Sequence, residues 1–216
     1  MADTQNNRIR SLTPVARSTL PAVSENGLVN AIDSTPRVAP GALFSLFGTN
    51  LARESAQVSE RAWPQALGGT SVSFAGVPAA LSSVSAGQIN GQVPYGVTAG
   101  PLNVTVTSAS GEGRPFAATI LASAPVILLS GRGRALAAHE DGSVNSAANP
   151  AAAGTVLTLL VAGAGAIDPP IETGAVAGEE PASMPVDPVA VTINRDRLMP
   201  ESVRAAPGRV GLMEVR

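Results

Sequence analysis

The residues best suited to acid–base or nucleophilic chemistry lie around the only histidine of the chain. His139 stands beside Glu140 and Asp141. A serine hydrolase needs a histidine that is held by a carboxylate and aimed at a hydroxyl group. The sequence has no Gly-x-Ser-x-Gly segment that would present such a hydroxyl on a strand-to-helix turn. We therefore predict that His139 is a solvated loop side chain, that there are no catalytic residues, and that the protein is not an enzyme.

Oxygen ligands for a metal ion are present, but they do not have the spacing of a calcium loop. Glu140, Asp141 and Asn145 are close in sequence, and Glu179 and Glu180 share a second loop. No Asp-x-Asp-x-Asp-Gly pattern occurs, and one histidine without any cysteine is too few ligands for a transition metal. The sequence predicts no metal site and no cofactor, with structural calcium as the less favoured alternative.

Two glycine-containing segments could be taken for phosphate or anion sites. Gly163-Ala164-Gly165 follows an apolar run, as a nucleotide-binding loop does. Pro169-Pro170 would block the helix that such a loop requires, so we predict a turn at the end of a strand. Gly131-Arg132-Gly133-Arg134 places two arginines in a loop, where charged side chains are usually solvated.

Trp63 and Tyr95 are the only side chains that could stack on a sugar ring, because the chain has one Trp and one Tyr. They are the candidate ligand-binding residues of the sequence. A single large apolar side chain is more often buried, so we expect Trp63 to cap one end of the core. An exposed ligand anchor is the alternative for Trp63.

Composition limits the remaining classes of function. Hydrophobic residues make up 44% of the 216 residues, which is enough to fill a core. A net charge of −2 gives no broad basic surface, so we predict no nucleic-acid partner. The absence of cysteine excludes disulfides and thiolate chemistry. No apolar run approaches the roughly 18 residues of a membrane span, and no signal peptide is visible near Met1.

Short apolar runs, closed by Gly or Pro, favour an all-β sandwich. Leu102 to Thr107 alternates between apolar and polar residues, as a half-buried strand does. The runs at 70–74 and 79–84 flank Gly76-Val77-Pro78, which predicts a hairpin. Phe44 or Leu46, together with Phe74, are the expected core residues of the first unit.

The second half of the chain repeats the order of these pieces. Gly163 follows an apolar run as Gly48 does, and the run at 189–193 is similar to that at 71–74. We predict two tandem sandwiches, after a flexible tail over 1–26: a complete unit over 27–125 and an apparently truncated one over 126–216. We expect the truncated second unit to have an open edge beside Val210, Leu212 and Val215. This edge is a candidate site for strand addition by a partner.

The chain resembles immunoglobulin-like IPT/TIG domains in several segments. Those segments are Phe47 to Leu51, Phe74 to Ala79, Val93-Pro94 and Gly100 to Thr107. It is more similar still to the uncharacterised C-terminal domain of exported Solibacter-type acidobacterial proteins. The matching segments of that domain are Leu28 to Ala31, Ala39 to Leu51, Leu67 to Pro94, Asp141 to Pro150 and Ala206 to Leu212. This resemblance implies immunoglobulin-like sandwiches, an extracytoplasmic location (secreted or on the cell surface) and no catalytic residues.

The function that the sequence favours is a non-catalytic module for adhesion, spacing or assembly, with a protein or a cell-surface polysaccharide as its partner. The alternative is a carbohydrate-binding accessory module of a secreted hydrolase. The shortage of aromatic residues, which make up 3% of the chain, argues against that alternative. It would gain if Trp63 and Tyr95 shared one exposed face.

Overall fold

A computed structural model describes residues 18–58, 61–130 and 133–216, together with two short strands at 2–3 and 8–9. The described residues contain no helix, and strands account for 44% of the protein. The strand pairs are antiparallel, so the predicted all-β class is confirmed. No described segment is a helix of the length and hydropathy needed to cross a bilayer.

The strands follow in the order β1 (Ala2–Asp3), β2 (Arg8–Ile9), β3 (Ala22–Asn30), β4 (Leu43–Thr49), β5 (Ala56–Gln57), β6 (Ala66–Leu67), β7 (Thr70–Phe74), β8 (Val77–Pro78), β9 (Ala80–Val84), β10 (Gln88–Gln92), β11 (Gly100–Ser108), β12 (Gly111–Glu112), β13 (Phe116–Ile120), β14 (Val126–Ile127), β15 (Ala137–Ala138), β16 (Thr158–Ala162), β17 (Ile167–Asp168), β18 (Met184–Pro185), β19 (Val191–Ile193), β20 (Asp196–Leu198), β21 (Val203–Ala205) and β22 (Leu212–Val215).

Two sheets form the N-terminal half, which we define as residues 22–125. One sheet has the order β3-β4-β10-β9-β5. The other has the order β12-β11-β7-β6, with β13 also paired to β11 and β8 to β7. The sheets face each other across a core in which the rings of Phe44 and Phe74 meet edge to face at 5.4 Å. The N-terminal half is therefore a sandwich of two antiparallel sheets.

The core of the N-terminal half is continuous and well buried. Eighteen buried apolar residues form one cluster. Phe44, Leu46 and Phe74 are fully buried in it, which confirms the predicted core. Val104 and Val106 of β11 are buried, while Asn103 of the same strand is exposed, as the alternation predicted.

The C-terminal half, residues 126–216, has a sheet of order β14-β16-β22-β21, with β15 also paired to β16. Two separate two-stranded ribbons, β17–β18 and β19–β20, accompany it. Its buried apolar residues fall into two small clusters of four and three residues. Both clusters also take side chains from the N-terminal half, namely Tyr95 in one and Ile32 and Leu43 in the other. Part of this half is therefore stabilised by packing on the N-terminal sandwich.

The main sheets of the two halves share the order of four strands. β14, β16, β22 and β21 take the places of β3, β4, β10 and β9 in their sheets. The β19–β20 ribbon corresponds to β7–β8, because each is a hairpin closed by a two-residue loop. In the described part of the C-terminal half, no strand corresponds to β11.

Three sequence expectations differ from the structure. The runs at 70–74 and 79–84 do not form a hairpin, since β9 pairs with β10 and β5 in the opposite sheet. Only Val77–Pro78 returns along β7, and the chain then crosses to the other sheet, where Ala80 and Leu81 are fully buried. Burial of this apolar run between the sheets outweighs local pairing.

The second difference concerns the first domain boundary. Strand β3 begins at Ala22, so the predicted boundary between residues 26 and 27 falls inside a strand. Asn26 adopts a positive φ of 55°, and the register with β4 shifts between Val23 and Leu28. The polar residues that suggested a tail form this bulge. Most of the predicted tail lies outside the described residues.

The third difference concerns the predicted opening beside β22. This strand has β16 on one side and β21 on the other, and Val210, Leu212 and Val215 are all buried. The residues at 203–205 supply the second neighbour, which the sequence pattern did not reveal. Strand β22 is therefore an interior strand of its sheet and has no free edge.

Candidate functional site

His139 belongs to a short hydrogen-bonded turn. Its backbone N–H donates to the carbonyl of Ser143 over 2.8 Å, and its Nε2 lies 3.1 Å from the carbonyl oxygen of Asn149. The residue as a whole is half-buried, in the loop that follows β15. Both contacts are to backbone, and no hydroxyl group is aimed at the ring among the described residues.

The acidic residues of this turn make separate contacts, one with local backbone and one with a distant arginine. The Oδ1 of Asp141 accepts a hydrogen bond from the backbone N–H of Ser143 over 2.8 Å. Hydrogen bonds from the side chain and backbone of Ser143 hold the pKa of Asp141 below its ordinary value. Glu140 pairs with Arg216 at 3.0 Å. The Oδ1 of Asn145 accepts a hydrogen bond from the backbone N–H of Ala151. The oxygen atoms that could have bound a metal ion together are therefore engaged in separate contacts.

Of the two glycine-containing segments, one follows a strand and the other lies partly outside the residues that the structure describes. Gly163 and Gly165 adopt positive φ values of 79° and 88° directly after β16, and no helix follows. The strand ends at these glycines, as predicted, but the backbone at 163–166 is irregular and forms no defined turn. Gly131 and Arg132 lie outside the described residues. Within the described ranges, no three His, Asp or Glu residues come together as metal ligands would.

The structure places both Trp63 and Tyr95 against one loop of the C-terminal half, residues 172–175, which we call the junction loop. The backbone N–H of Trp63 donates to the carbonyl of Gly174 over 2.8 Å. The backbone N–H of Tyr95 donates to Oγ1 of Thr173 over 3.3 Å. The N–H of Gly174 in turn donates to Oε1 of the buried Gln92 over 2.7 Å. These contacts join the two halves of the protein.

Tyr95 is part of the packing at this junction. Its ring lies beside Gly41, where an added Cβ would come within 2.2 Å of the ring, so only glycine leaves it room. Burial raises the pKa of Tyr95 to about 12, partly offset by a side-chain hydrogen bond with Gln92. Both Tyr95 and Trp63 are half-buried. Their shared position next to Gly174 is a contact between halves, which no local sequence pattern indicated.

The outer face of the β3-β4-β10-β9-β5 sheet carries a polar cleft of about 300 Å³, lined mainly by serines, Gln88 and Asn90. The Oδ1 of Asn90 accepts hydrogen bonds from Ser45 and Gln88, and its Nδ2 donates to Ser83, each over 2.8 Å. The polar side chains at the centre of this cleft therefore satisfy one another.

An apolar groove of about 350 Å³ lies in the C-terminal half. Leu157, Leu159 and Val215 line it on the side of the main sheet. Val191 and Ile193 of β19 line it on the side of the ribbon, and Leu198, Met199 and Pro200 continue that side. Ile193, Leu198 and Met199 are 55%, 47% and 69% exposed, which is unusual for large apolar side chains gathered in one place.

The groove takes the place that the core occupies in the N-terminal half. If the chain is counted from Gly48 and Gly163, Leu159 corresponds to Phe44. If it is counted from the two hairpin loops, Ile193 corresponds to Phe74. In the first half these two positions hold the contacting rings, and in the second they line an open surface. The sequence predicted an opening in this half, but it placed the opening beside β22, whereas the exposed apolar side chains lie beside β19.

Comparison with known proteins supplies no relative for this arrangement. No family model, no curated protein and no solved structure matches the chain.

Proposed function

We propose that the protein is a non-catalytic, extracytoplasmic module for adhesion, spacing or assembly, built from two tandem immunoglobulin-like units. The location is inferred from the resemblance of residues 27–216 to the Solibacter-type domain. The remaining argument comes from strand order, from the junction and from the side chains that surround each concave surface.

Strand order supports the immunoglobulin-like assignment. The constant-type immunoglobulin sandwich places strands A, B, E and D in one sheet and C, F and G in the other. In chain order, β3, β4, β7, β9, β10, β11 and β13 match A to G. The observed orders β3-β4-β10-β9 and β7-β11-β13 are then the orders ABED and CFG. The C-terminal half matches A to E in the same way.

The junction between the halves carries the proposed role as a spacer or assembly module. Gln92 is 1% exposed, and its amide oxygen binds the N–H of Gly174 from the other half. An added Cβ at Gly174, whose φ is +86°, would lie 2.3 Å from the carbonyl oxygen of Trp63. Such close backbone contacts fix one unit against the other, which is what a module of defined length requires.

A non-catalytic role agrees with the chemistry of the described side chains. The pKa of Tyr95 is raised by burial at the junction, and the pKa of Asp141 is lowered by hydrogen bonds from Ser143 in an exposed turn. Neither group faces the apolar groove or the polar cleft. Shifted pKa values mark catalytic sites only where the groups share a cleft with a reactive partner.

The alternative, a carbohydrate-binding accessory module, is favoured by one observation. The polar cleft around Asn90 presents amide and hydroxyl groups of the kind that bind sugar hydroxyls. It lies on the outer sheet face, away from Trp63 and Tyr95, so a sugar there would bind without stacking on either ring.

Binding and turnover assays on the whole chain separate the two functions from an enzyme. The protein is immobilised and exposed to bacterial envelope proteins and to soluble polysaccharides, and is also incubated with chromogenic ester, peptide and glycoside substrates. We expect saturable protein binding and no turnover. Polysaccharide binding that Asn90→Ala abolishes would favour the alternative. Turnover that His139→Ala removes, with folding intact, would overturn the proposal.

A further inference from the structure

We propose that the apolar groove binds one extended strand of a different protein, which adds antiparallel to the free edge of β19 and inserts alternate apolar side chains. This inference rests on the proposed function, since it specifies how the module would take part in assembly. It also relocates strand addition from β22, which is closed on both sides, to the ribbon.

The N-terminal half shows what covers the equivalent surface. There, β7 pairs on one edge with β8 and on the other with β11. Val104 and Val106 of β11 lie opposite Phe74 and Val72, and all four side chains are buried. In the C-terminal half, Ile193 and Val191 hold the positions of Phe74 and Val72. Ile193 is 55% exposed, and Val191 is only partly buried.

The backbone of β19 is ready to pair on its open edge. The two-residue loop makes Ile193 and Asp196 the pair that closes the turn, and a hydrogen bond is expected there. Pairs alternate along an antiparallel ladder, so Thr192, which lies opposite Arg197, directs its N–H and C=O away from β20. Among the described residues, no strand pairs with that edge.

The register of the occupant follows from the first half. Thr105 of β11 lies opposite Ser73, between the two valine pairs. By the same geometry, the incoming strand places a small polar residue opposite Thr192. It places apolar residues opposite Ile193 and Val191, where they face Leu159 and Val215. An apolar surface beside an unpaired strand edge selects an extended peptide over a compact small molecule.

The first test uses the whole protein and a labelled nine-residue peptide with the sequence of β11, Gly100–Ser108. The control peptide has the same composition, but its leucine and two valines are contiguous, so no register restores alternation. We expect saturable binding of the β11 peptide by fluorescence anisotropy and binding about tenfold weaker or less for the control. Amide exchange at 191–193 should slow on binding. Equal binding of the two peptides, or no binding, overturns the proposal.

Matched variants identify the edge. Thr192→Pro removes the outward N–H of β19 and should weaken binding by about tenfold or more. Arg197→Pro removes the outward N–H on the other edge of the ribbon and should leave binding unchanged. Proline is tolerated at that position, since Pro78 holds it in β8. If Thr192→Pro loses the fold, Ile193→Ser provides the same test through an exposed side chain. Equal effects of Thr192→Pro and Arg197→Pro would contradict the proposed edge.

Two further outcomes reassign the groove. Concentration-dependent dimerisation that Thr192→Pro abolishes would make a second copy of the chain the occupant. Binding of an apolar dye that the β11 peptide cannot displace would make the groove a small-molecule site. Either result overturns the proposal. Failure of peptide binding would not change the result of the assays with envelope proteins, polysaccharides and chromogenic substrates. Those assays therefore test the proposed function separately.

Discussion

The two halves of this protein share the order of four strands in their main sheets, yet their clusters of buried apolar residues differ greatly in size. In the N-terminal half, Phe44 and Phe74 contact each other at the centre of a closed sandwich. In the C-terminal half, the corresponding Leu159 and Ile193 line an open groove. The difference arises from β11, which covers β7 and has no counterpart beside β19 in the described residues. A shared strand order therefore does not ensure a shared core, because each inner face needs its own cover.

The largest expected effect compares the two equivalent core positions. Phe74→Ala should lower the free energy of unfolding by about 3–5 kcal/mol, since the ring is fully buried. Ile193→Ala should cost less than about 1 kcal/mol, because the side chain is 55% exposed. Urea denaturation of both variants measures the difference. Equal losses would show that β19 is covered in solution and that the contrast between the halves is wrong.

The next effect concerns the junction between the halves. Gly174→Ala forces a Cβ against the backbone of Trp63 and the side chain of Ala80, at a φ of +86°. We expect a loss of about 1–3 kcal/mol and a looser junction. Gly154→Ala is the matched control, since it has a similar φ of +85° and open space around it. Limited proteolysis would compare the rates of cleavage of the two variants. Equal rates would show that the junction loop is not the contact that joins the halves.

A smaller effect concerns local opening. Amides of the β19–β20 ribbon should exchange with solvent faster than those of β7 and β11, because the ribbon is paired on one side only and its side chains are mostly exposed. Hydrogen exchange with mass spectrometry on the whole chain measures this. Equal protection at 191–198 and 70–107 would mean that the ribbon has a partner strand in solution.

The smallest effect is the titration of the single tyrosine. Burial raises the pKa of Tyr95 to about 12 in the folded protein, above the ordinary value of 10.0. The folded state then holds the proton more tightly, so stability should fall as the pH rises through this interval and should be unaffected below it. Phenolate absorbance of the folded protein and of the protein in urea gives both values. A single ordinary pKa in the two states would place Tyr95 in water.

Sequence reasoning predicted the strands whose patterns are local. The alternation of Leu102 to Thr107 and the apolar run ending at Phe47 both appear as strands, and Phe74 is buried. It did not predict that β9 leaves β7 for the other sheet, because pairing partners depend on burial across the whole sandwich. The same limit applies to Gly174, whose contacts with Gln92 and Trp63 lie far away in the chain.

The contact between Gln92 and Gly174 also has a consequence during synthesis on the ribosome. The two residues are 82 positions apart, so at about 5–20 residues per second the amide of Gln92 waits roughly 4–16 seconds for its partner. Over that interval the remaining strands of the N-terminal sandwich are made, while the amide of Gln92 still lacks its neighbours Gly174 and Gly211 from the second half. Water binds that amide oxygen until the second half arrives, and docking of Gly174 then displaces it.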